Sequence, residues 1–350
     1  IESLFGGLDN SAVLRSELRR LFRWLKDKGV TTIITGERGE KTLTRQGLEE
    51  YVSDCVILLD FRVIDQIATR RLRIVKYRGS LHGTNEYPFL IDETGISVLP
   101  ITSLKLEHKI SKEVVSTGLM ALDNLLDGDG YFRGSCTLIT GTAGTAKTIL
   151  ASGFAASSCR RKEKVLYFSF EESPAQLIRN MQSVDLKIAQ YVKSGLLHIH
   201  SSRPSLQGLE MHLLLIYKLI KEFKPQTVIV DPISSLITVG SESEVRAMLV
   251  RLMDLLKEKG ISALFTALTY ENRSEYGDLT VEAVSSLADT WLKLRNAEQD
   301  GSKIRSLVIV KSRGRSHSNA VNDFMITNKG IVFSPVETKN KNISLKNGQK

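Results

Sequence analysis

The chain has 350 residues, of which 42% are hydrophobic and 25% are charged, and its formal net charge is +9. These proportions are typical of a soluble protein of about two domains, and no apolar run approaches the roughly 18 residues that predict a transmembrane helix. Clusters of Lys and Arg at residues 15–28 and 339–350 hold much of the excess charge, and such runs more often form solvated faces than nucleic-acid sites. The cysteines lack metal-ligand spacing, so buried thiols in a reducing, cytoplasmic setting are expected at Cys55, Cys136 and Cys159.

An amphipathic helix followed by a strand is predicted near the start of the chain. From Ser11 to Lys28, apolar residues recur at helical spacing, and Gly29 ends the pattern. The β-branched run from Val30 to Thr35 then predicts a strand.

An internal repeat organises the rest of the chain. Residues 54–100 reappear without gaps as residues 289–335, so that Lys76, Arg78 and His82 match residues 235 positions further on. The later copy has a long upstream segment that the earlier copy lacks, and we interpret the sequence as a tandem repeat whose first copy is incomplete. The expected organisation is the C-terminal half of one domain at 1–100, a linker at 101–115, a complete domain at 116–335 and a disordered tail at 336–350.

The complete copy alternates strands with amphipathic helices. This order predicts an α/β fold with a parallel sheet flanked by helices. The predicted strands are 137–140, 165–170, 227–230, 261–268 and 306–310, and the predicted helices are 148–159, 174–183, 206–223 and 244–259.

The segment between the first of these strands and the first helix has the pattern of a phosphate-binding loop. Its backbone N–H groups and the helix dipole would bind phosphates, with Lys147 between the β- and γ-phosphates and the Thr148 hydroxyl on Mg²⁺. Ala146 stands where the usual pattern has Gly, and it is costly only if the backbone there needs a positive φ. The predicted nucleotide-binding residues are Gly141, Thr142, Ala143, Gly144, Thr145, Ala146, Lys147 and Thr148.

Acidic residues follow two other predicted strands. Asp231 ends the run 227–230, where this class of site has an acid that helps to hold Mg²⁺, although such an Asp can also simply cap a turn. Glu171 and Glu172 end the run 165–170, at the edge where open α/β sheets bind ligands. Two close carboxylates raise the pKa of one of them, which suits a catalytic base. The same segment also has the pattern of a helix N-terminus, and both interpretations can hold together.

Basic residues surround a glycine turn after the last predicted strand. Lys311, Arg313 and His317 combine a charge, a planar guanidinium and an imidazole, which predicts a phosphate contact supplied to another chain. A basic turn without function is not expected to recur in register, as this one does at Lys76, Arg78 and His82.

Together these motifs resemble the KaiC family, double-domain ATPases and autokinases of the RecA-like superfamily. The resemblance rests on residues 116–123, the loop at 141–148, residues 170–173, Asp231 and both basic segments. It implies a RecA-like P-loop NTPase fold and a hexameric ring with ATP and Mg²⁺ between subunits. One subunit would supply Lys147, Thr148, Glu171, Glu172 and Asp231, the next would reach in with Lys311, Arg313 and His317 helped by Arg305, and Lys76, Arg78 and His82 would serve a first-domain nucleotide in the same way.

The resemblance also implies autophosphorylation. Matching residues 284–289 onto the family's acceptor segment places Ser285 and Ser286 as phosphoacceptors, with Glu171 as the base and with Mg²⁺ and Lys147 stabilising the developing charge. We therefore expect an ATPase and serine/threonine autokinase with a signalling or clock-like role, whose partners are further copies of itself and other signalling proteins. Two alternatives remain: a RecA-like DNA-dependent ATPase, which the acidic loop 270–276 disfavours, and an ATP-binding ring scaffold without kinase activity.

Overall fold

The computed structural model describes residues 11–38, 52–64, 67–93, 95–98, 111–206, 208–269, 284–299 and 302–334. The chain divides into two compact units, Ile1–Ser103 and Leu104–Lys350. Within the described ranges, no helix combines the length and the apolar character that crossing a membrane requires. The predicted tail at 336–350, the N-terminal residues 1–10 and the acidic loop 270–276 lie outside the described residues.

The first unit contains a helix and an antiparallel sheet. Helix α1 (Ser11–Asp27) buries Leu14 and Leu18, because residues four positions apart lie on the same side of a helix. The four strands described in this unit pair in chain order, each antiparallel to the next. They are β1 (Cys55–Ile64), β2 (Ile67–Tyr77), β3 (Glu86–Asp92) and β4 (Gly95–Val98).

One face of strand β1 is apolar and exposed. Ile57, Leu59, Phe61 and Val63 alternate along the strand, and each side chain is more than half exposed. Alternate residues of a strand point to the same side, so these four form a continuous stripe. No other strand in the described part of this unit pairs with the free edge of β1.

The second unit is built on a mixed sheet. In its described residues nine strands lie in the order β15 (Gly330–Phe333), β14 (Asn322–Thr327), β13 (Ser302–Ser312), β12 (Thr290–Gln299), β7 (Cys136–Gly141), β11 (Ser262–Leu268), β10 (Thr227–Asp231), β8 (Val165–Ser169) and β9 (Leu197–Ser201). The six strands from β12 to β9 are parallel to one another, and the strands from β12 to β15 are antiparallel. A short pair, β5 (Val114–Val115) and β6 (Tyr131–Phe132), stands apart from this sheet.

Helices cover this sheet, as the alternating pattern predicts. The helix that follows β7 is buried along most of its length, and Phe154 packs edge-to-face on Tyr131 at 5.3 Å between ring centroids. Its Ala and Ser residues let the helix lie close to the strands. The helices are α2 (Met120–Leu125), α3 (Lys147–Arg160), α4 (Pro174–Gln182), α5 (Ala189–Lys193), α6 (Leu209–Phe223) and α7 (Glu242–Glu258), with 3₁₀ turns at Pro204–Leu206 and Ile233–Val239.

Two sequence predictions about the first unit are wrong. The run from Val30 to Thr35 is not a strand, since residues 30–38 have no regular secondary structure. Its counterpart β11 lies between β10 and β7, and in the described residues of the first unit no strand occupies either of these neighbouring positions. Cys55 is exposed at the start of β1, whereas Cys136 and Cys159 are buried, and burial raises the pKa of both thiols to about 12.

The strands of the two units have matching boundaries. β12 and β13 begin and end 235 positions after β1 and β2, and β15 lies 235 positions after β4. A β-bulge recurs at the same place, between Val56 and Ile57 in one unit and between Trp291 and Leu292 in the other. The 235-residue correspondence of the sequence therefore extends to strand ends, pairing partners and irregularities.

Candidate functional site

The predicted phosphate-binding loop lies between the carboxyl end of β7 and the first turn of α3. Lys147 Nζ donates to Gly141 O at 2.8 Å and to Thr142 O at 2.7 Å, so the lysine folds back over its own loop. The Thr145 hydroxyl also donates to Thr142 O at 2.8 Å, while Thr148 is half-buried in the first helical turn. The loop thus has the strand-loop-helix context that phosphate binding requires.

The backbone at Ala146 is left-handed. Its φ is 76° and its ψ is 19°, the region in which a residue with a Cβ costs about 1–2 kcal/mol and glycine costs little. The alanine therefore occupies the conformation for which the usual loop pattern has glycine. Its side chain is 8% exposed and lies within the hydrophobic core, which partly offsets the strain.

A β-branched side chain at this position should be far more costly. We expect Ala146→Val to lower the free energy of unfolding by at least about 2 kcal/mol, because valine is strongly disfavoured at positive φ. Ala146→Gly should change it by less than about 1 kcal/mol, since relief of strain offsets the lost methyl burial and the greater freedom of glycine in the unfolded chain. Urea unfolding followed by Trp291 fluorescence in a Trp24→Phe background measures both.

Ala175→Val, at an exposed position of α4, is the matched control for the same change in ordinary helical backbone. If Ala146→Val and Ala175→Val lowered the free energy of unfolding equally, the left-handed backbone at Ala146 would not be the cause of the loss.

The ammonium group of Lys147 lies in an acidic, partly desolvated setting. Burial lowers the pKa of Lys147, while the nearby carboxylates of Asp231 and Glu171 act to raise it. The structure therefore brings together three of the residues that the sequence assigns to one site.

Asp231 is held by two buried hydroxyl groups. Tyr167 donates to Asp231 Oδ2 at 2.7 Å, and Thr266 donates to Asp231 Oδ1. Burial raises the pKa of Tyr167, with the Asp231 charge adding to the effect, so Tyr167 stays protonated and a donor. These contacts fix the carboxylate at the end of β10, between the ends of β8 and β11.

The paired glutamates precede a well-capped helix, so the helix N-terminus expected here is confirmed, while their catalytic role stays a prediction. Ser173 accepts from Gln176 N and Gln176 Oε1 accepts from Ser173 N, which is a capping box with Pro174 in the first turn of α4. Glu171 is exposed, and Ser235 donates to its Oε1 at 3.0 Å. Asn180 donates to Glu172 Oε1 at 3.1 Å, and Glu172 Oε2 is buried with no hydrogen-bond partner among the described residues.

The hairpin β12–β13 reaches the tip of the loop. Asn296 Nδ2 donates to Thr142 Oγ1 at 3.3 Å and to Ala143 O at 3.2 Å, and Arg305 Nε donates to Gly144 O at 2.9 Å. The sequence groups Arg305 with residues that reach a neighbouring subunit, but here Arg305 contacts the loop of its own chain. Asn296 is not singled out by the sequence.

Lys311 and Arg313 hold the predicted phosphoacceptor segment. Lys311 Nζ donates to Ser285 O at 2.5 Å, and Arg313 Nη2 donates to Ser286 O at 2.5 Å. Burial and the Arg313 charge lower the pKa of Lys311. Both cations thus lie at the carboxyl end of a single helical turn, residues 284–287, where the backbone dipole favours positive charge.

An ion pair also anchors this segment. Lys257 Nζ lies 3.0 Å from Asp289 Oδ2 and donates to Leu287 O at 3.3 Å. Asp289 also accepts from Cys136 N at 2.9 Å, which ties the segment to the start of β7. His317 lies further along the chain, half-buried, and its Nδ1 has no hydrogen-bond partner within the described ranges.

The basic residues of the first unit occupy corresponding positions. Arg78 N donates to Asp54 O at 2.9 Å, and Arg313 N donates to Asp289 O at 2.8 Å. The Arg78 guanidinium lies 3.4 Å from Asp54 Oδ1. Lys76 and His82 are half-buried on either side of this turn.

Several contacting residues could not be found from the motifs. Tyr167 and Thr266 lie inside apolar strands, where their hydroxyls look incidental. Only the strand register shows that both reach Asp231. The alternation Leu292, Leu294, Asn296 is a weak signal, because a polar residue there breaks a buried apolar stripe.

The sheet order and the strand-loop-helix segment at 141–148 define a RecA-like α/β fold with the pattern of a phosphate-binding loop. A family model described as "ATPase: KaiC" matches residues 1–103 and 115–338, and the chain belongs to this family.

Curated relatives agree with this assignment. The chain is 52% identical over 331 residues to the circadian clock protein KaiC2 of Synechocystis sp., covering 95% of this chain and 58% of that protein. It is 36% identical over 332 residues to the circadian clock oscillator protein KaiC of Synechococcus elongatus, covering 94% of this chain and 64% of that protein. It is 35% identical over 332 residues to the circadian clock protein KaiC3 of Synechocystis sp., with 94% and 65% covered. The chain thus spans less than two thirds of the length of these relatives.

Proposed function

We propose that this protein binds Mg²⁺-ATP at the loop, hydrolyses it, and transfers the γ-phosphate to Ser285 or Ser286 of an adjacent copy. The observation that carries the proposal is the position of the two serines. Lys311 and Arg313 hold them near the amino end of strand β7, whereas the nucleotide loop follows the carboxyl end of the same strand.

The separation follows from the strand register. Asp289 accepts a hydrogen bond from Cys136 N at the start of β7, and the loop begins at Gly141, where β7 ends. The serine segment and the loop are therefore separated by the length of β7, about 17 Å at roughly 3.3 Å per residue. A phosphoryl group moves only between atoms in contact, so Ser285 cannot receive one from the loop of its own chain. Transfer between chains therefore fits the geometry better than transfer within one chain.

The reacting groups have defined roles in this proposal. Glu171 accepts the proton of the attacking serine hydroxyl, the serine oxygen forms a bond to the γ-phosphorus, and the bond from that phosphorus to the β,γ-bridging oxygen breaks, releasing ADP. Glu172 lies beside the base, fixed by Asn180. Lys147 leaves its loop carbonyls to neutralise charge on the β- and γ-phosphates.

The donor set fits Mg²⁺. No cluster of three or more His, Cys, Asp or Glu able to hold a metal ion occurs in the described part of the chain. Mg²⁺ characteristically takes one or two protein oxygens together with substrate phosphates and waters. Thr148, Asp231 and Glu171 offer oxygen atoms of this kind. When bound there, the ion would neutralise phosphate charge during transfer.

In a ring of copies, the basic segment 311–317 would contact the nucleotide of a neighbouring subunit. We infer that residues 1–100 correspond to the C-terminal half of a domain like that at 116–335, that residues 101–115 join the two, and that the chain assembles as a hexamer. The nucleotide of the next subunit would then be contacted by Lys311, Arg313 and His317. A nucleotide bound to the first domain of a neighbour would be contacted in the same way by Lys76, Arg78 and His82. Since relatives are named circadian clock proteins, a timing or signalling role read by other proteins is the proposed context.

Mixed assemblies test transfer between chains. ¹⁵N-labelled Glu171→Gln chains keep both serines but lack the base, and unlabelled Ser285→Ala/Ser286→Ala chains keep the base but lack the acceptors. We expect each to remain unphosphorylated when incubated alone with Mg²⁺-ATP. After mixing, phosphate should appear on the labelled serines, as measured by peptide mass spectrometry.

Three results would oppose the proposal. Serine phosphate on the Glu171→Gln chain alone would remove Glu171 as the base. Bare serines in wild-type assemblies that still turn over ATP would leave the protein an ATPase without kinase activity, and nucleotide binding without phosphate release would leave only a scaffold.

A further inference from the structure

We propose that Asn296 is a positioning residue of the nucleotide loop, which orients the loop's backbone N–H groups towards the phosphates together with Arg305. The inference rests on the proposed binding of ATP at this loop. It concerns a residue that none of the sequence motifs contains.

The two residues form one unit of the hairpin. Asn296 in β12 and Arg305 in β13 are directly paired across the strands, on the stretch of hairpin that continues beyond the pairing of Leu294 with Gly141. Each donates to a different loop carbonyl, Asn296 to Ala143 O and Arg305 to Gly144 O. Asn296 also donates to the Thr142 hydroxyl, so the amide bridges two successive loop residues.

These carbonyl contacts determine where the loop amides point. A trans peptide is planar, with its C=O and N–H on opposite sides. Fixing Ala143 O towards Asn296 therefore turns the N–H of Gly144 away from the hairpin, and fixing Gly144 O towards Arg305 does the same for Thr145. Backbone N–H groups turned to one side form the anion-binding cradle of such loops.

The contacts of the hairpin differ from those of Lys147. Lys147 occupies the carbonyls of Gly141 and Thr142, and it must leave them to reach a phosphate. Asn296 and Arg305 hold the next two carbonyls from outside the loop, so their contacts can persist when nucleotide is bound. The loop tip is thereby ordered before binding, which reduces the cost of ordering it on binding.

The first unit provides a natural contrast. Phe61 and Arg70 are paired at the positions that correspond to Asn296 and Arg305, and the Arg70 guanidinium lies 5.5 Å from the centroid of the Phe61 ring. A phenyl ring cannot donate to a loop carbonyl. In the second unit, Asn296 Oδ1 is buried and has no hydrogen-bond partner in the described residues. Burying this oxygen is unfavourable, so the hydrogen bonds donated by Asn296 Nδ2 to the loop must offset its cost.

Substitutions at Asn296 test the inference by equilibrium binding of Mg²⁺-ATP and Mg²⁺-ADP and by steady-state turnover. We expect Asn296→Ala to weaken both nucleotides about five- to tenfold, and Asn296→Asp at least about thirtyfold, because a carboxylate opposite Ala143 O repels both the carbonyl and the phosphates. KM should rise while kcat stays within about threefold, since the loop amides bind ground state and transition state alike.

The conservative variant and a neighbour supply the controls. Asn296→Gln keeps an amide donor and should bind within about threefold of wild type, and Arg295→Ala alters an exposed residue of the same strand. Hydrogen–deuterium exchange of the peptide 141–148 without nucleotide gives a separate readout, and it should be faster in Asn296→Asp than in Asn296→Gln.

Unchanged affinity and unchanged loop exchange in Asn296→Asp would overturn the role of Asn296. A fall in kcat with unchanged KM would also overturn it, since that result marks a group acting in the chemical step. Wild-type protein that binds no Mg²⁺-ATP would instead refute the proposed function, while the exchange measurement would still decide whether Asn296 orders the loop.

Discussion

Replacing Lys147 by methionine is expected to lower ATP turnover at least about a hundredfold, the scale of losing one preorganised donor to a developing charge. The ammonium group lies within the loop, where burial lowers its pKa and the nearby charges of Asp231 and Glu171 oppose that shift. Without it, these two carboxylates would face the incoming phosphates with less compensation. Phosphate release at saturating Mg²⁺-ATP measures the effect.

Methionine fills the volume of the lysine chain, so the fold should survive. Lys187→Met, at an exposed position, is the matched control and should turn over ATP like wild type. Because burying the ammonium in the absence of ligand is unfavourable, Lys147→Met should unfold at no lower urea concentration than wild type. Turnover within threefold of wild type would show that the loop does not bind the reacting phosphates.

Asp231→Asn should be comparably damaging to turnover, at least about a hundredfold, while leaving the fold in place. An amide keeps the shape of the side chain and one oxygen that accepts from Tyr167 or Thr266, but it removes the negative charge at the end of β10. The loss should be steepest at low Mg²⁺, so turnover measured across a Mg²⁺ titration is the informative experiment.

Tyr167→Phe separates charge from position. It removes one hydroxyl that holds Asp231 but keeps the carboxylate, and we expect it to lower turnover less than about tenfold. If Asp231→Asn and Tyr167→Phe were equally damaging, the carboxylate would matter through its hydrogen bonds alone. If Asp231→Asn retained wild-type turnover at every Mg²⁺ concentration, Asp231 would have no part in holding the ion.

Much of the second unit could be predicted from sequence because its signals are local. The apolar run before Gly141 and the cap at Ser173 each depend on a few adjacent residues, and the structure has a strand and a helix where they indicate them. The helix predicted from Leu206 instead begins at Leu209, after the 3₁₀ turn Pro204–Leu206. Its apolar pattern continues through that turn, so the pattern alone does not mark the boundary.

The contacts that shape the site could not be predicted, since they join residues far apart in sequence. Asn296 and Ala143 are separated by 153 positions, and Arg305 and Gly144 by 161. The family resemblance groups Arg305 with Lys311 as residues that reach a neighbouring subunit. Only the direction of strand β13 shows that Arg305 lies near the loop and Lys311 near the opposite end of the strand. The two residues are six positions, or about 20 Å, apart.

The bulge shared by the two units settles which way the basic residues face. In β13, Ile309 pairs with Leu292 and Lys311 pairs with Trp291, so Val310 is an extra residue opposite no partner. Leu292 and Trp291 are adjacent in β12 and point to opposite sides, so Lys311 emerges on the side away from the buried Ile309. A regular strand would have sent Lys311 into the core with Leu307 and Ile309. The one extra residue thus changes which face of the sheet the following side chains point to. The same change precedes Lys76, because Ile74 pairs with Ile57 and Lys76 pairs with Val56.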